Sequence, residues 1–129
     1  MKYLLDTCVC IAMIKGNANV RNSIRSVGAK SCAVSEITVA ELMVGAEKSG
    51  EERHFRDVTR LIAMFKVLPI SRHLASYARI RAHLERAGQR IEDFDMLIGA
   101  TAIDEKLTMV TANTRHFERI PGIALDNWE

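Results

Sequence analysis

Tyr3-Leu4-Leu5-Asp6-Thr7 sets three large apolar residues against an acid and a hydroxyl, and a second apolar stretch, Val9 to Ile14, follows at once. A short apolar run closed by Asp-Thr is the pattern of a buried strand turning into a helix. In open α/β sheets ligands bind outside the carboxyl ends of the strands, so this strand carries the Asp6 carboxylate to the edge where a site is expected. Asp is also a favoured N-cap, and from this residue alone capping and catalysis are even alternatives.

Outward from this stretch, strand and helix patterns alternate. Helices are expected from about Cys8 to Lys15, from about Asn19 to Arg25 and from about Thr38 to Lys48, with Ser31-Cys32-Ala33-Val34 as a strand between the last two. Glu51 to Phe65 places Phe55, Val58, Leu61, Ile62 and Phe65 at three- and four-residue spacing, the mark of a helix with one buried face. Val67-Leu68-Pro69-Ile70 reads as a strand; Pro69 has no N–H for a ladder, so an edge position is expected. A helix from about Arg72 to Ala87 ends at Gly88, and another runs from Asp93 to Lys106. Strands at Leu107 to Thr111 and Ile123 to Leu125 complete the pattern. The expected class is α/β, with a mostly parallel sheet and helices on both faces.

A chain of 129 residues is the size of one domain, here taken as residues 1–129. With 48% hydrophobic and 26% charged residues, the composition is that of a soluble globular protein rather than a disordered one. Cys8, Cys10 and Cys32 are an odd set without C-x-x-C spacing, against a disulfide framework or a zinc ribbon, and a reducing cytoplasm is the expected location. Lys2 before an apolar run resembles a signal peptide, but Asp6 interrupts the run and no small-residue cleavage site follows. No uncharged apolar run approaches the roughly 20 residues that cross a bilayer. A net charge of +2 does not by itself declare nucleic-acid binding.

Other polar groups are placed where such a sheet puts a site. Glu41 follows the second strand among the apolar residues Val39, Ala40, Leu42 and Met43, where a carboxylate is costly to bury unless paired or metal-bound. The alternative is structural: Thr38-x-x-Glu41 matches a capping box. Asp95 lies in the first turn of an apolar helix, where an acid also complements the helix dipole; Asp93 suits the N-cap, which leaves Asp95 without an obvious structural duty. Thr111 and Asn113 stand at the end of a strand, as site residues or as turn formers. Together these residues imply carboxylates converging above one sheet edge, where like charges destabilise one another unless a cation neutralises them. All the donors are oxygens, which selects Mg²⁺ or Mn²⁺ over zinc.

Four motifs carry a resemblance: Leu4-Leu5-Asp6-Thr7, Ser35-x-Ile37-Thr38-x-Ala40-Glu41-Leu42, Asp93-Phe94-Asp95-x-Leu97-Ile98-x-Ala100-x-Ala102 and Val110-Thr111-x-Asn113-x-x-x-Phe117. Their order and spacing resemble the PIN-domain ribonucleases, most of all the VapC toxins of toxin–antitoxin pairs, along essentially the whole chain. The resemblance implies a PIN-like three-layer fold and a Mg²⁺- or Mn²⁺-dependent endoribonuclease that cleaves structured RNA, usually tRNA, and so stops translation. It further implies a homodimer silenced by a cognate antitoxin whose C-terminal segment covers the active site. By the same resemblance Asp6, Glu41 and Asp95 hold the metal, Thr111 is the hydroxyl of the fourth motif and Asn113 stands where many members have a fourth acid. Thr7 and Asp93 are additional candidates.

Two positions depart from the family pattern. Cys8 stands where an Asn often follows Asp-Thr, and Asn113 is neutral, which weakens any second metal site and leaves open a module that binds RNA or a partner without cleavage. Arg72, Arg79, His83 and Arg86 share one stripe of their helix, a candidate phosphate track or a solvated face. No Gly-rich phosphate loop is present, and position 8 lacks the second acid of a haloacid-dehalogenase site.

Overall fold

The computed structural model describes all 129 residues. Five strands form one sheet: β1 (Tyr3–Leu5), β2 (Cys32–Ser35), β3 (Lys66–Leu68), β4 (Thr108–Val110) and β5 (Leu125–Asp126). Their order is β3-β2-β1-β4-β5 and every pairing is parallel, with Leu4 opposite Ala33 on one side and Met109 on the other. The chain steps from β1 outward to β2 and β3, then returns to the other side of β1 for β4 and β5. The order therefore switches at β1 and β4, and the crevice beyond their carboxyl ends is the predicted ligand position.

Helices fill the connections: α1 (Thr7–Ile14), α2 (Ala18–Val27), α3 (Glu36–Ser49), α4 (Glu52–Met64), α5 (Leu74–Arg86), α6 (Asp93–Asp104) and the single turn α7 (Thr114–Phe117). Side chains alternate across the pleat, so the strands feed two cores. Leu4, Ala33, Leu68 and Met109 pack with Ile80 and Leu84 of α5 and Ile98, Ala100 and Ala102 of α6. Leu5, Cys32, Val34 and Val110 face the other way, against Val9, Val20, Val39, Leu42, Val58 and Leu61 of α1 to α4. Leu4 and Leu5 are both fully buried, each worth roughly 1.5–3 kcal/mol, which is why the first strand is apolar without alternation. The three-layer α/β expectation holds. No helix is long and apolar enough to cross a membrane.

Several boundaries differ from the sequence reading in ways that matter for the site. Helix α3 starts at Glu36, capped by the Ser35 hydroxyl accepting from the Ile37 N–H. Thr38 and Glu41 are thus inside the helix, and the capping-box alternative falls. Glu92 rather than Asp93 occupies the N-cap position of α6, with no side-chain cap bond. Strand β3 is an edge as expected, although Pro69 lies just beyond it. A 3₁₀ turn at Ser71–His73 precedes α5, so Arg72 is outside the helix. Helix α6 is buried from Ile98 to Ala102, and Gly99 admits the closest approach: a Cβ there would stand 2.5 Å from Ile120 Cδ1. The small residue accommodates the segment after α7 rather than the sheet itself.

Candidate active site

Asp6 leaves β1 with its N–H donating to Val110 O of β4 at 2.9 Å, which fixes it between the two central strands. The carboxylate is 6% exposed, so both oxygens need partners. Oδ1 accepts from the Thr7 N–H at 2.9 Å, the cap of α1, and Oδ2 accepts from the Thr111 hydroxyl at 2.9 Å. Capping and site residue are one and the same side chain. Thr111, fully buried at the end of β4, also accepts the Asn113 N–H at 3.0 Å.

Thr7 extends the arrangement to α3. Its hydroxyl donates to Glu41 Oε1 at 2.8 Å and lies 3.1 Å from the fully buried Thr38 hydroxyl. Glu41 is therefore aimed at the end of β1 by a hydroxyl one residue from Asp6. Asp95 arrives in the first turn of α6. Burial pushes its carboxyl above the ordinary value and the Asp6 charge pushes the same way, against a hydrogen bond from His116. The Asp6 charge thus reaches Asp95.

Cys8, standing where the family often has Asn, supplies a weak donor. Its thiol donates to Asp6 Oδ2 at 3.5 Å and lies 3.7 Å from Thr111 Oγ1. Burial, then the Asp6 charge, raise the thiol above its usual range, so at neutral pH it keeps its hydrogen.

Other candidates are placed elsewhere. Asp93 turns to α5: the Tyr77 hydroxyl donates to it at 2.9 Å, with Arg81 at 3.3 Å and Arg90 at 3.2 Å. The Tyr77 bond, then the two guanidinium groups, hold its carboxyl below the ordinary value, and its role is to pin the loop before α6 rather than to reach the site. The Asn113 side chain is exposed and makes no cap bond. Within the fourth-motif segment Thr111 reaches Asp6, and the residue that reaches Asp95 is His116, whose Nε2 lies 3.0 Å from Asp95 Oδ2. The motif pattern passes over that position, and a lone His in a polar segment gives no signal of its own.

The basic stripe does not gather at the cleft. Arg79 donates to Ser76 Oγ, which donates to Asp104 at the far end of α6, nine residues and about 14 Å of helix from Asp95. Arg72 precedes α5 and Arg86 is exposed near its end. Arg81 and Arg90, which the stripe omits, stand nearer Asp95 but are paired with Asp93 and Glu85.

The donors facing the cleft are oxygens, which fits a hard divalent cation. No group of three or more His, Cys, Asp and Glu side chains is drawn to ligand distance.

The chain matches the family model described as PIN domain over residues 3–123, which includes every residue of the cleft. It is 37% identical to the tRNA(fMet)-specific endonuclease VapC of Shigella flexneri, over 99% of this chain and 98% of that protein. Ribonuclease VapC2 of Haemophilus influenzae is 36% identical over the same shares. A chain in the crystal structure of DNA-bound VapBC from Salmonella typhimurium superposes with a TM-score of 0.93 at 36% identity, covering 100% of this chain and 99% of that one. The family match, the sequence identity and the superposition all span nearly the whole chain: the chain belongs to the PIN-domain ribonucleases, among the VapC-type toxins of toxin–antitoxin pairs.

Proposed function

We propose that Asp6, Glu41 and Asp95 hold Mg²⁺ or Mn²⁺ and that the cleft cleaves structured RNA, with tRNA as the substrate class, to arrest translation in the cytoplasm. The observation that carries this reading is the junction at the end of β1: Asp6, saturated by Thr7 and Thr111, linked through the Thr7 hydroxyl to Glu41 and by charge to Asp95. When bound, such an ion neutralises the acids and polarises a phosphodiester. The protein's own part is to present the carboxylates in fixed rotamers: Thr111 and the Thr7 amide orient Asp6, and the Thr7 hydroxyl orients Glu41. The neutral Asn113 side chain is exposed, and relatives named as endonuclease and ribonuclease favour cleavage over a module that only binds. The VapC relatives named for tRNA cleavage support the substrate class.

The partners are a cognate antitoxin, which silences the cleft, and a second copy of the chain in a homodimer. Two apolar grooves flank α4 beside α1, of about 590 and 620 Å³, and Arg21, Arg25 and Arg60 rim the first. Ile11, Met43, Val44, Ile62 and Met64 are exposed apolar side chains on the same layer, the kind of surface that a partner covers.

Asp6→Asn tests the catalytic reading. Mg²⁺-dependent cleavage of a tRNA pool is expected to disappear and growth arrest to be relieved, with circular dichroism showing a folded chain. Unchanged cleavage by the variant would sink the assignment.

A further inference from the structure

The Asp95 carboxylate has a single hydrogen-bond partner, the His116 imidazole at 3.0 Å. A carboxylate in this setting accepts, so Nε2 carries the hydrogen and Asp95 Oδ1 is left with no hydrogen bond. The imidazole is delivered on a rigid mount. Phe117, the next residue, is 1% exposed in the core, and the two rings meet edge-on at 5.3 Å and 90°. The same turn begins where the Asn113 N–H donates to Thr111 Oγ1, the hydroxyl that holds Asp6. One segment, Thr111 to Phe117, therefore sets both acids: its first hydroxyl fixes Asp6 and its last turn fixes Asp95.

We infer that His116 is a positioning residue of the reaction, its Nε2–H locking the Asp95 rotamer so that Oδ1 stays available to a divalent cation. The inference rests on the reading of Asp95 as a metal ligand. Without the imidazole, the half-buried Asp95 side chain has no partner to hold it against rotation toward solvent. Partners that orient ligating carboxylates typically account for about 10- to 100-fold in metal affinity.

The test compares His116→Leu, which removes the donor and keeps bulk, with His116→Gln, which keeps an N–H at the end of the side chain. Free Mn²⁺ is measured by electron paramagnetic resonance in solutions of each purified protein, and tRNA cleavage is resolved into kcat and KM. His116→Leu is expected to weaken Mn²⁺ binding roughly tenfold or more. It should raise the Mn²⁺ needed for half-maximal cleavage in parallel, with KM for RNA little changed, and His116→Gln should recover most of the loss. Unfolding midpoints in EDTA separate any folding defect. Mn²⁺ binding by His116→Leu equal to that of the wild type overturns the inference. So does a His116→Gln protein that binds Mn²⁺ normally yet cleaves as poorly as His116→Leu, because the imidazole would then act on the substrate itself. A wild type that binds no Mn²⁺ removes the metal reading first and this inference with it.

Discussion

Thr111→Val is the most searching perturbation of the cleft, because it deletes one oxygen and keeps the shape. The Thr111 hydroxyl donates to the buried Asp6 Oδ2 and accepts the Asn113 N–H. A hydrogen bond to a charged group contributes about 1.5–3 kcal/mol, and the Asn113 N–H left without its acceptor adds about 1 kcal/mol, for a total near 3 kcal/mol. The Cys8 thiol at 3.5 Å is too weak a donor to replace the loss. For a chain of 129 residues the expected fall in Tm is roughly 4 °C per kcal/mol, or about 10 °C overall. Urea and thermal unfolding in EDTA, followed by circular dichroism, measure it without interference from metal. Thr111→Ser keeps the oxygen and should lose only the small packing contribution of the methyl group, about 1 kcal/mol. Millimolar Mn²⁺ should return part of the Thr111→Val loss, since a cation compensates the charge that the hydroxyl no longer stabilises. A Thr111→Val protein within about 0.5 kcal/mol of the wild type, the range of an ordinary surface change, would refute the view that this hydroxyl supports a buried charge.

Two further outcomes test the scaffold. Gly99→Ala should destabilise the wild type by about 1 kcal/mol, overpacking against Ile120 Cδ1 outweighing the better helix propensity of Ala. In an Ile120→Val background, which lacks that atom, the same change should stabilise; equilibrium unfolding of the four proteins decides, and an unchanged sign would disprove the close approach. At the other end of α6, burial alone would raise the Asp104 carboxyl, but hydrogen bonds from Ser76 and His73 outweigh it and hold the carboxyl below its ordinary value of 3.8. A depressed carboxyl contributes stability above its unfolded value and loses it as pH falls through the folded one. Ser76→Ala should therefore cost about 1–2 kcal/mol at pH 7 and progressively less below about pH 4, measured by urea unfolding across pH. A cost that does not change with pH would mean that Ser76 does not act through the Asp104 charge.

The apolar run ended by Asp6, the helical spacing of Phe55 to Phe65 and the all-apolar stretch after Asp95 were legible in the chain because each reports a local periodicity. Those signals carried the alternation, the edge position of β3 and the placing of Asp6 just beyond the end of a central strand. They failed where a local structural reading competed with a reading as a site residue. Thr38-x-x-Glu41 matched a capping box, and only the start of α3 at Glu36 excluded it. Asp93 reads as the N-cap of the next helix, but Glu92 takes that position, and the packing of α5 against α6 leaves Asp93 with Tyr77 and Asp95 with His116.

What the sequence determined by itself is the strands, the helices α1 to α6 and the acids at their ends, since hydrophobic period and turn residues act over a few positions; the single turn α7 carries no such period. What only the tertiary structure decided is which polar side chains meet. The bond between Thr7 and Glu41 joins residues 34 apart, and that between Thr111 and Asp6 joins residues 105 apart. His116 outranks Asn113 at Asp95 because Phe117, buried in the core, fixes the rotation of a single turn. Such contacts depend on strand order and side-chain rotamers together, and no spacing along the chain encodes either.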